Sequence, residues 1–246
     1  MGASQHSTEG VRVTGRRLVL AAGLLLVLVG CQASAGDDAG GAEPPDRSTA
    51  AASQADGNGI PLVDAIRRIP RAVEHRAGYE RDKFRHWVDA DHDGCDTRAE
   101  ILLAQAVQPP KQGPSCKLSG GSWVSYYDGA TVADAGELDI DHVVALAEAW
   151  DSGASGWSAE RREAYANDIA VPRSLLAVTA KSNRSKSDQD PSEWIPPVAA
   201  VACQYAADWM AVKFRWSLTA DLREQAALEK IAKGCPKTTV SYTLAS

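Results

Sequence analysis

Asp141 and His142 stand side by side at the end of an alternating stretch, Leu138-Asp139-Ile140-Asp141-His142. Asn167 follows 25 residues after His142, and the run Asn183-Arg184-Ser185-Lys186-Ser187-Asp188 begins 16 residues after that. These residue types suit hydrolysis of a phosphodiester. That reaction needs a nucleophilic water and something to absorb charge on the phosphate and the leaving oxygen. A neutral imidazole titrating near neutrality can take the water's proton, which makes His142 the candidate general base. A hard divalent cation, held by a carboxylate and an amide oxygen, can bind the phosphate and stabilise the leaving group; Asp141 and Asn183 fit that ligand set. Arg184 and Lys186 are the natural phosphate contacts, the arginine with a fork that meets two oxygens at once. Each residue also has a structural alternative. His142 alone would read as a polar strand end, Asp141 and Asn183 as helix caps, and Arg184 and Lys186 as a solvated face. Asp188 is either a third, outer ligand or a cap.

The elements that must position these groups follow from patterning. Leu138–His142 alternates like a half-buried strand, and the apolar run Ser174–Ala180, bounded by polar clusters, is its natural partner. Adjacent residues at a strand end diverge, so Asp141 and His142 can serve different roles. A short helix is expected from Ser182, which would place the Asn183 oxygen and the free amides of a helix start near a phosphate. Gly120–Asp134 carries Trp, Val, Tyr and Thr around an Asp-Gly turn and reads as a β-hairpin. Helices are expected at Leu62–Val73, Tyr79–Val88, Ala99–Val107, Ser158–Ala166, Val198–Trp216 and Thr219–Lys233.

Four blocks, "DGCDTRAEIL", "DHVVALAEAW", "YAND" and "AVTAKSNRSKSDQDPSEWIPP", occur in this order. Together they resemble HNH endonucleases, specifically the exported DUF1524-type nucleases of actinobacteria. The resemblance spans about residues 79–197. It implies an α+β chain with a ββα-metal core at about 136–195, set in a mostly helical domain. It implies an endonuclease acting on DNA, with RNA left open as an alternative substrate, with low sequence specificity and one divalent cation: Mg²⁺ first, Mn²⁺ or Ca²⁺ as alternatives. It assigns to Asn167 the orientation of the catalytic His142 and places Arg98 near the site. The usual second histidine of the motif is missing, with Asn183 in its place.

The remaining features bound the setting. Arg12, Arg16 and Arg17 precede an apolar run, Leu18–Val29, ending in Leu-Val-Gly-Cys31. This resembles a lipoprotein signal, cleaved before Cys31 and lipidated there, with an ordinary secretory signal as the alternative. Residues 31–59 lack large apolar side chains and read as a tether, which leaves 60–246 as one domain. The expected location is the outer face of a bacterial membrane or the medium, as a monomer. Four further cysteines allow three disulfide connectivities, of which Cys95–Cys116 and Cys203–Cys235 are favoured over a zinc site. The second pair would staple a helical hairpin at 198–235. The formal net charge is −6, and loss of residues 1–30 removes three Arg and one Glu to leave −8. Such a chain does not hold nucleic acid by overall charge. Asp89–Glu100 matches an EF-hand loop by letter, with Asp89, Asp91, Asp93 and Glu100 as calcium ligands, but turn chemistry alone accounts for most of it. The second function considered is a non-catalytic, calcium-stabilised surface module. The sequence contains neither H-E-x-x-H nor G-x-S-x-G, which argues against zincin and serine-hydrolase chemistry.

Overall fold

The computed structural model describes residues 59–246. The leader, Cys31 and the tether up to residue 58 lie outside the described residues. The elements run β1 (Ile60–Pro61), α1 (Leu62–Arg68), α2 (Thr97–Ala104), β2 (Lys111–Gln112), β3 (Leu118–Ser119), β4 (Trp123–Val124), β5 (Thr131–Val132) and β6 (Leu138–His142). Then come α3 (Leu146–Asp151), α4 (Ala159–Ala166), β7 (Leu175–Thr179), α5 (Ala180–Lys186), α6 (Ala202–Arg215), α7 (Leu222–Ala232) and β8 (Thr239–Val240). The fold is α+β. Its four small sheets are antiparallel pairs, and β6 with β7 is the longest, registered Leu138↔Thr179 through His142↔Leu175. Helix α5 follows β7 directly and packs on both strands.

The β6–β7 pair is buried on both faces. Leu138, Ile140, Leu175 and Ala177 pack with Trp123, Val132, Ile101 and Leu102. Leu176 and Val178 face the larger helical core with Val143, Tyr127, Tyr205 and Trp209. Two-sided burial explains why β7 is an unbroken apolar run. It also fixes the register, because a one-residue slip would exchange the two faces. Asp139 and Asp141 share the face of Val178 and Leu176, whereas His142 is registered with Leu175 on the other.

Buried polar networks tie the helices behind this pair. Lys213 of α6 is fully buried and bonds Glu148 of α3 at 2.7 Å and Glu224 of α7 at 2.6 Å. Arg215 and the Trp216 indole both bond Asp168, which also accepts from Ser174 at the entry to β7. Disulfides Cys95–Cys116 and Cys203–Cys235 close loops of 21 and 32 residues, as favoured from the sequence.

Three expected helices differ. Helix α1 stops at Arg68, because Pro70 biases Ile69 to extended geometry; Val73 is exposed. The expected helix at 79–88 reduces to one tight turn, Arg81–Lys83. Its apolar residues serve tertiary contacts instead: Phe84 is buried against Trp150 and Tyr165. Helix α5 opens at Ala180, capped by the Thr179 hydroxyl on the Ser182 amide, so Asn183 lies inside the helix and not at its start. The β-hairpin forms as expected, with Trp123↔Val132 and Gly129 at φ +70° in the turn. The turn's Asp128 accepts from the Thr179 and Ser182 hydroxyls and so fixes the start of α5 against the hairpin.

Candidate active site

Asp141 and His142 end β6 at the wall of a cavity of about 380 Å³. Asn183, Arg184 and Asp188 line the same cavity, as do Tyr79 and Arg81 from the segment before the acidic loop. Asp141 is 6% exposed and His142 5%, and both line this cavity. A larger cavity of about 580 Å³ lies beside α6 and the chain end. Its one buried carboxylate, Asp208, is already satisfied by Tyr126, Arg173 and Gln204, and none of the expected site residues lines it.

The imidazole of His142 is held by the backbone. Its Nε2 lies 2.9 Å from the Ala166 carbonyl. A carbonyl only accepts, so Nε2 carries the proton and Nδ1 the lone pair. Trp87 and Tyr165 flank the ring at 6.0 and 6.1 Å between centroids. Burial pushes the imidazole down to about 3; the Arg81 and Lys186 charges add to this, and the Ala166 carbonyl opposes it. The resting ring is therefore neutral at physiological pH, the form a proton acceptor requires.

Asp141 is oriented through one oxygen. Its Oδ2 accepts from the Tyr127 hydroxyl at 2.6 Å and pairs with Lys186 Nζ at 2.8 Å. Oδ1 has no hydrogen-bond partner among the described residues. Burial pushes the carboxyl up, while the Lys186 charge and hydrogen bonds from Lys186 and Tyr127 work against that rise. Asn183 donates its Nδ2 to Asp139 Oδ2 at 3.1 Å, which leaves its amide oxygen free. One carboxylate oxygen and one amide oxygen on a common cavity fit a hard divalent cation.

Two expected roles are corrected. Lys186 is not a solvent-facing phosphate contact: it is fully buried, and its ammonium also donates to the His142 carbonyl at 2.9 Å. Asn167 does not touch the imidazole. Its Oδ1 accepts from the Val88 amide and lies 2.8 Å from the Thr97 hydroxyl, and its Nδ2 donates to the Arg85 and Glu163 carbonyls. These bonds bracket Trp87, which sits at φ +61°, a conformation that costs a bulky residue on the order of 1–3 kcal/mol. Asn167 thus holds the tryptophan that walls His142, and the orienting acceptor is the preceding carbonyl. Arg98 donates to the Leu138 and Ala135 carbonyls and anchors the start of β6, away from the cavity. Asp188 is bridged by Arg76, which also pairs with Asp151.

Sequence reasoning missed Tyr127, Tyr79, Arg81, Trp87 and the Ala166 carbonyl. Tyr127 directly precedes the Asp128-Gly129 turn of the hairpin, and its bond to Asp141 is a tertiary contact that the hairpin pattern does not reveal. Trp87 and Arg81 were placed on a helix that does not form. The acidic loop gathers Asp89, Asp91 and Asp93, whose carboxylates lie within 4.8 Å of one another; Glu100 is not in the group. Asp89 Oδ2 accepts the Gly94 amide and Asp93 Oδ1 the Cys95 amide, which is turn chemistry, but Asp89 Oδ1 is buried without a partner.

A family model for the C-terminal domain of GmrSD restriction endonucleases matches residues 90–231, which include the acidic loop after Asp89, both site strands and α5. An uncharacterized secreted protein of Arthroderma benhamiae is 37% identical over 192 residues, covering 78% of this chain and 89% of the relative. No solved structure matches. The chain belongs to the family of the GmrSD restriction endonuclease C-terminal domain, a nuclease family.

Proposed function

We propose that this protein is a metal-dependent endonuclease of the HNH type, akin to the DUF1524 nucleases, that hydrolyses DNA, with RNA as the alternative substrate, with little sequence preference. The observation that carries this is the convergence on one cavity of a neutral His142 with Nδ1 free, the unpartnered Asp141 Oδ1 and the Asn183 amide oxygen. His142 Nδ1 takes the proton of the attacking water while the Ala166 carbonyl holds the ring in its tautomer. The phosphate's charge beside the ring favours the imidazolium, offsetting the burial that lowers it at rest. Attack forms the new P–O bond as the bond to the leaving oxygen breaks. Asp141 and Asn183 would hold the cation. When bound, a divalent ion such as Mg²⁺, or Mn²⁺ or Ca²⁺ in its place, absorbs charge on the phosphate and leaving oxygen. Tyr127 and Lys186 keep Asp141 in the orientation that presents Oδ1.

The two disulfides suit an oxidising compartment, and the fungal relative is named a secreted protein. We place this chain outside the cytoplasm, tethered by lipid at Cys31, as a monomer. The test is cleavage of plasmid and of single-stranded DNA and RNA by the purified protein across a metal series. His142→Ala should lower the rate by about 10²–10⁴. A folded protein that cleaves nothing with any cation refutes the enzyme, and an active His142→Ala refutes the base.

A calcium ion in the acidic loop is the second part of the proposal, supported by the buried, unpartnered Asp89 Oδ1 facing two more carboxylates. Calcium-dependent melting without any hydrolysis would favour instead a binding module that keeps the scaffold.

A further inference from the structure

A phosphodiester entering this cavity needs positive charge, and the cations around it are unequally available. Lys186 is occupied by Asp141 and the His142 carbonyl. Arg76 is occupied by Asp151 and Asp188. Two guanidinium groups on the cavity wall remain, Arg81 and Arg184, and neither is paired with an acid among the described residues.

Arg184 stands on α5, whereas Arg81 lines the same cavity from the turn Arg81–Lys83, in the segment before the acidic loop. The backbone that carries Arg81 is fixed. Lys83 Nζ donates to the Gly78 carbonyl at 2.6 Å, Arg162 to the Lys83 carbonyl at 3.2 Å and Asn167 to the Arg85 carbonyl at 2.8 Å. Phe84 locks the turn into the aromatic core. An exposed arginine is usually a solvated, mobile side chain. This one projects into the candidate site from an anchored turn.

We propose that Arg81 is a phosphate contact of the site, donating two N–H bonds to the non-bridging oxygens of the scissile phosphate. The inference rests on the nuclease reading and deepens it. It assigns the anion contact to the segment before the acidic loop, where sequence reasoning had placed it on Arg184 and Lys186. The guanidinium fork matches two phosphate oxygens, and its value rises as attack adds charge to them. Lysine offers a point charge without the fork.

The test is steady-state cleavage of a labelled single-stranded oligonucleotide and of plasmid in Mg²⁺, by the full protein and by Arg81→Ala, Arg81→Lys, Arg184→Ala and Lys181→Ala. Lys181 is exposed on α5 and does not line the cavity, so it controls for general surface charge. Arg81→Ala should lower kcat by about 100-fold or more, the scale of losing one transition-state donor. Arg81→Lys should recover only a small part of that loss, Arg184→Ala should act chiefly on KM, and Lys181→Ala should match wild type. Melting temperatures should stay at the wild-type value, since Arg81 is exposed. An Arg81→Ala enzyme as fast as wild type, or one changed only in KM like Arg184→Ala, overturns the assignment while leaving the nuclease reading intact. A wild type that cuts nothing overturns both.

Discussion

Replacing Lys186 with methionine separates two opposite accounts of this residue. A phosphate contact would face solvent, and its loss would weaken substrate binding without affecting the fold. The structure shows a fully buried ammonium, 2.8 Å from Asp141 Oδ2 and 2.9 Å from the His142 carbonyl. Removing one member of a buried ion pair strands the other charge, at about 3–5 kcal/mol. With an unfolding entropy of about 2 cal/mol/K per residue over this domain, the melting temperature should fall by about 8–13 °C. The deficit should depend on pH. Burial already pushes the Asp141 carboxyl above its ordinary 3.8, with Lys186 opposing the rise. A carboxyl raised in the folded state favours folding most below its unfolded value, and that advantage is lost as pH rises through the folded value. Without Lys186 the folded value climbs further, so the variant should lose more stability between pH 5 and pH 8 than wild type does. Activity should also fall, because Asp141 loses the partner that presents Oδ1 to the cavity. Differential scanning calorimetry at pH 5 and pH 8, with a cleavage assay at pH 8, reads all three. A Lys186→Met protein that melts with wild type at pH 8 and is altered only in KM would refute the buried-pin account.

Further outcomes follow from other contacts. Asn167→Ala removes the acceptor and donor that bracket Trp87; it should cost about 2–4 kcal/mol from several lost hydrogen bonds, and should slow cleavage with little change in KM, whereas an unaffected rate would separate Trp87 from the chemistry. For Asp128, burial pushes the carboxyl up, but hydrogen bonds from Ser182, Thr179, Ser125 and the Ala130 amide outweigh it and hold it at about 2. A carboxyl lowered on folding stabilises above its unfolded value and loses that contribution as pH falls through the folded one, so Asp128→Asn should melt below wild type at pH 7, with the gap closing between pH 4 and pH 2; a gap independent of pH refutes this. Calcium at about 100 times its dissociation constant should add about 2.7 kcal/mol of stability and raise the melting temperature by several degrees, an effect that Asp89→Asn should abolish. No shift with calcium would leave the loop to turn chemistry alone.

The parts of this site legible in the sequence are those written into local pattern. Leu138–His142 and Leu175–Thr179 declare themselves by alternation and by an apolar run bounded by polar residues, and they pair in the structure. The disulfides followed from an even cysteine count and short separations. What failed shares one cause: the deciding partner was distant in sequence. Tyr79–Val88 has helical spacing, yet Asn167, about 80 residues away, takes the Arg85 carbonyl and Val88 amide and holds Trp87 at positive φ. Lys186 reads as a surface base until β6 is laid beneath it. Asn183 and the Thr179 cap show a subtler miss, since the hydroxyl at the end of β7, three residues before Ser182, moved the helix start and put the asparagine inside α5.

These corrections change the electrostatic logic of the site. The sequence suggests a basic cluster, Arg184 and Lys186, beside an acidic ligand. In the fold, Lys186 already compensates Asp141, and burial keeps His142 neutral. The reacting pair is close to electroneutral before substrate arrives, which permits both residues to be almost fully buried in a chain whose formal charge is negative. On the proposed function, substrate attraction falls to the two unpaired guanidinium groups on the wall. Of these, Arg81 is carried by the segment that Asn167 fixes, and the Ala166 carbonyl beside Asn167 orients His142. One chain position, at the end of α4, thus sets the relative placement of the proton acceptor, its tryptophan wall and the proposed phosphate contact. On the proposed function, Asn167 would act on His142 without touching the ring, by holding the Arg85–Val88 backbone that carries Trp87.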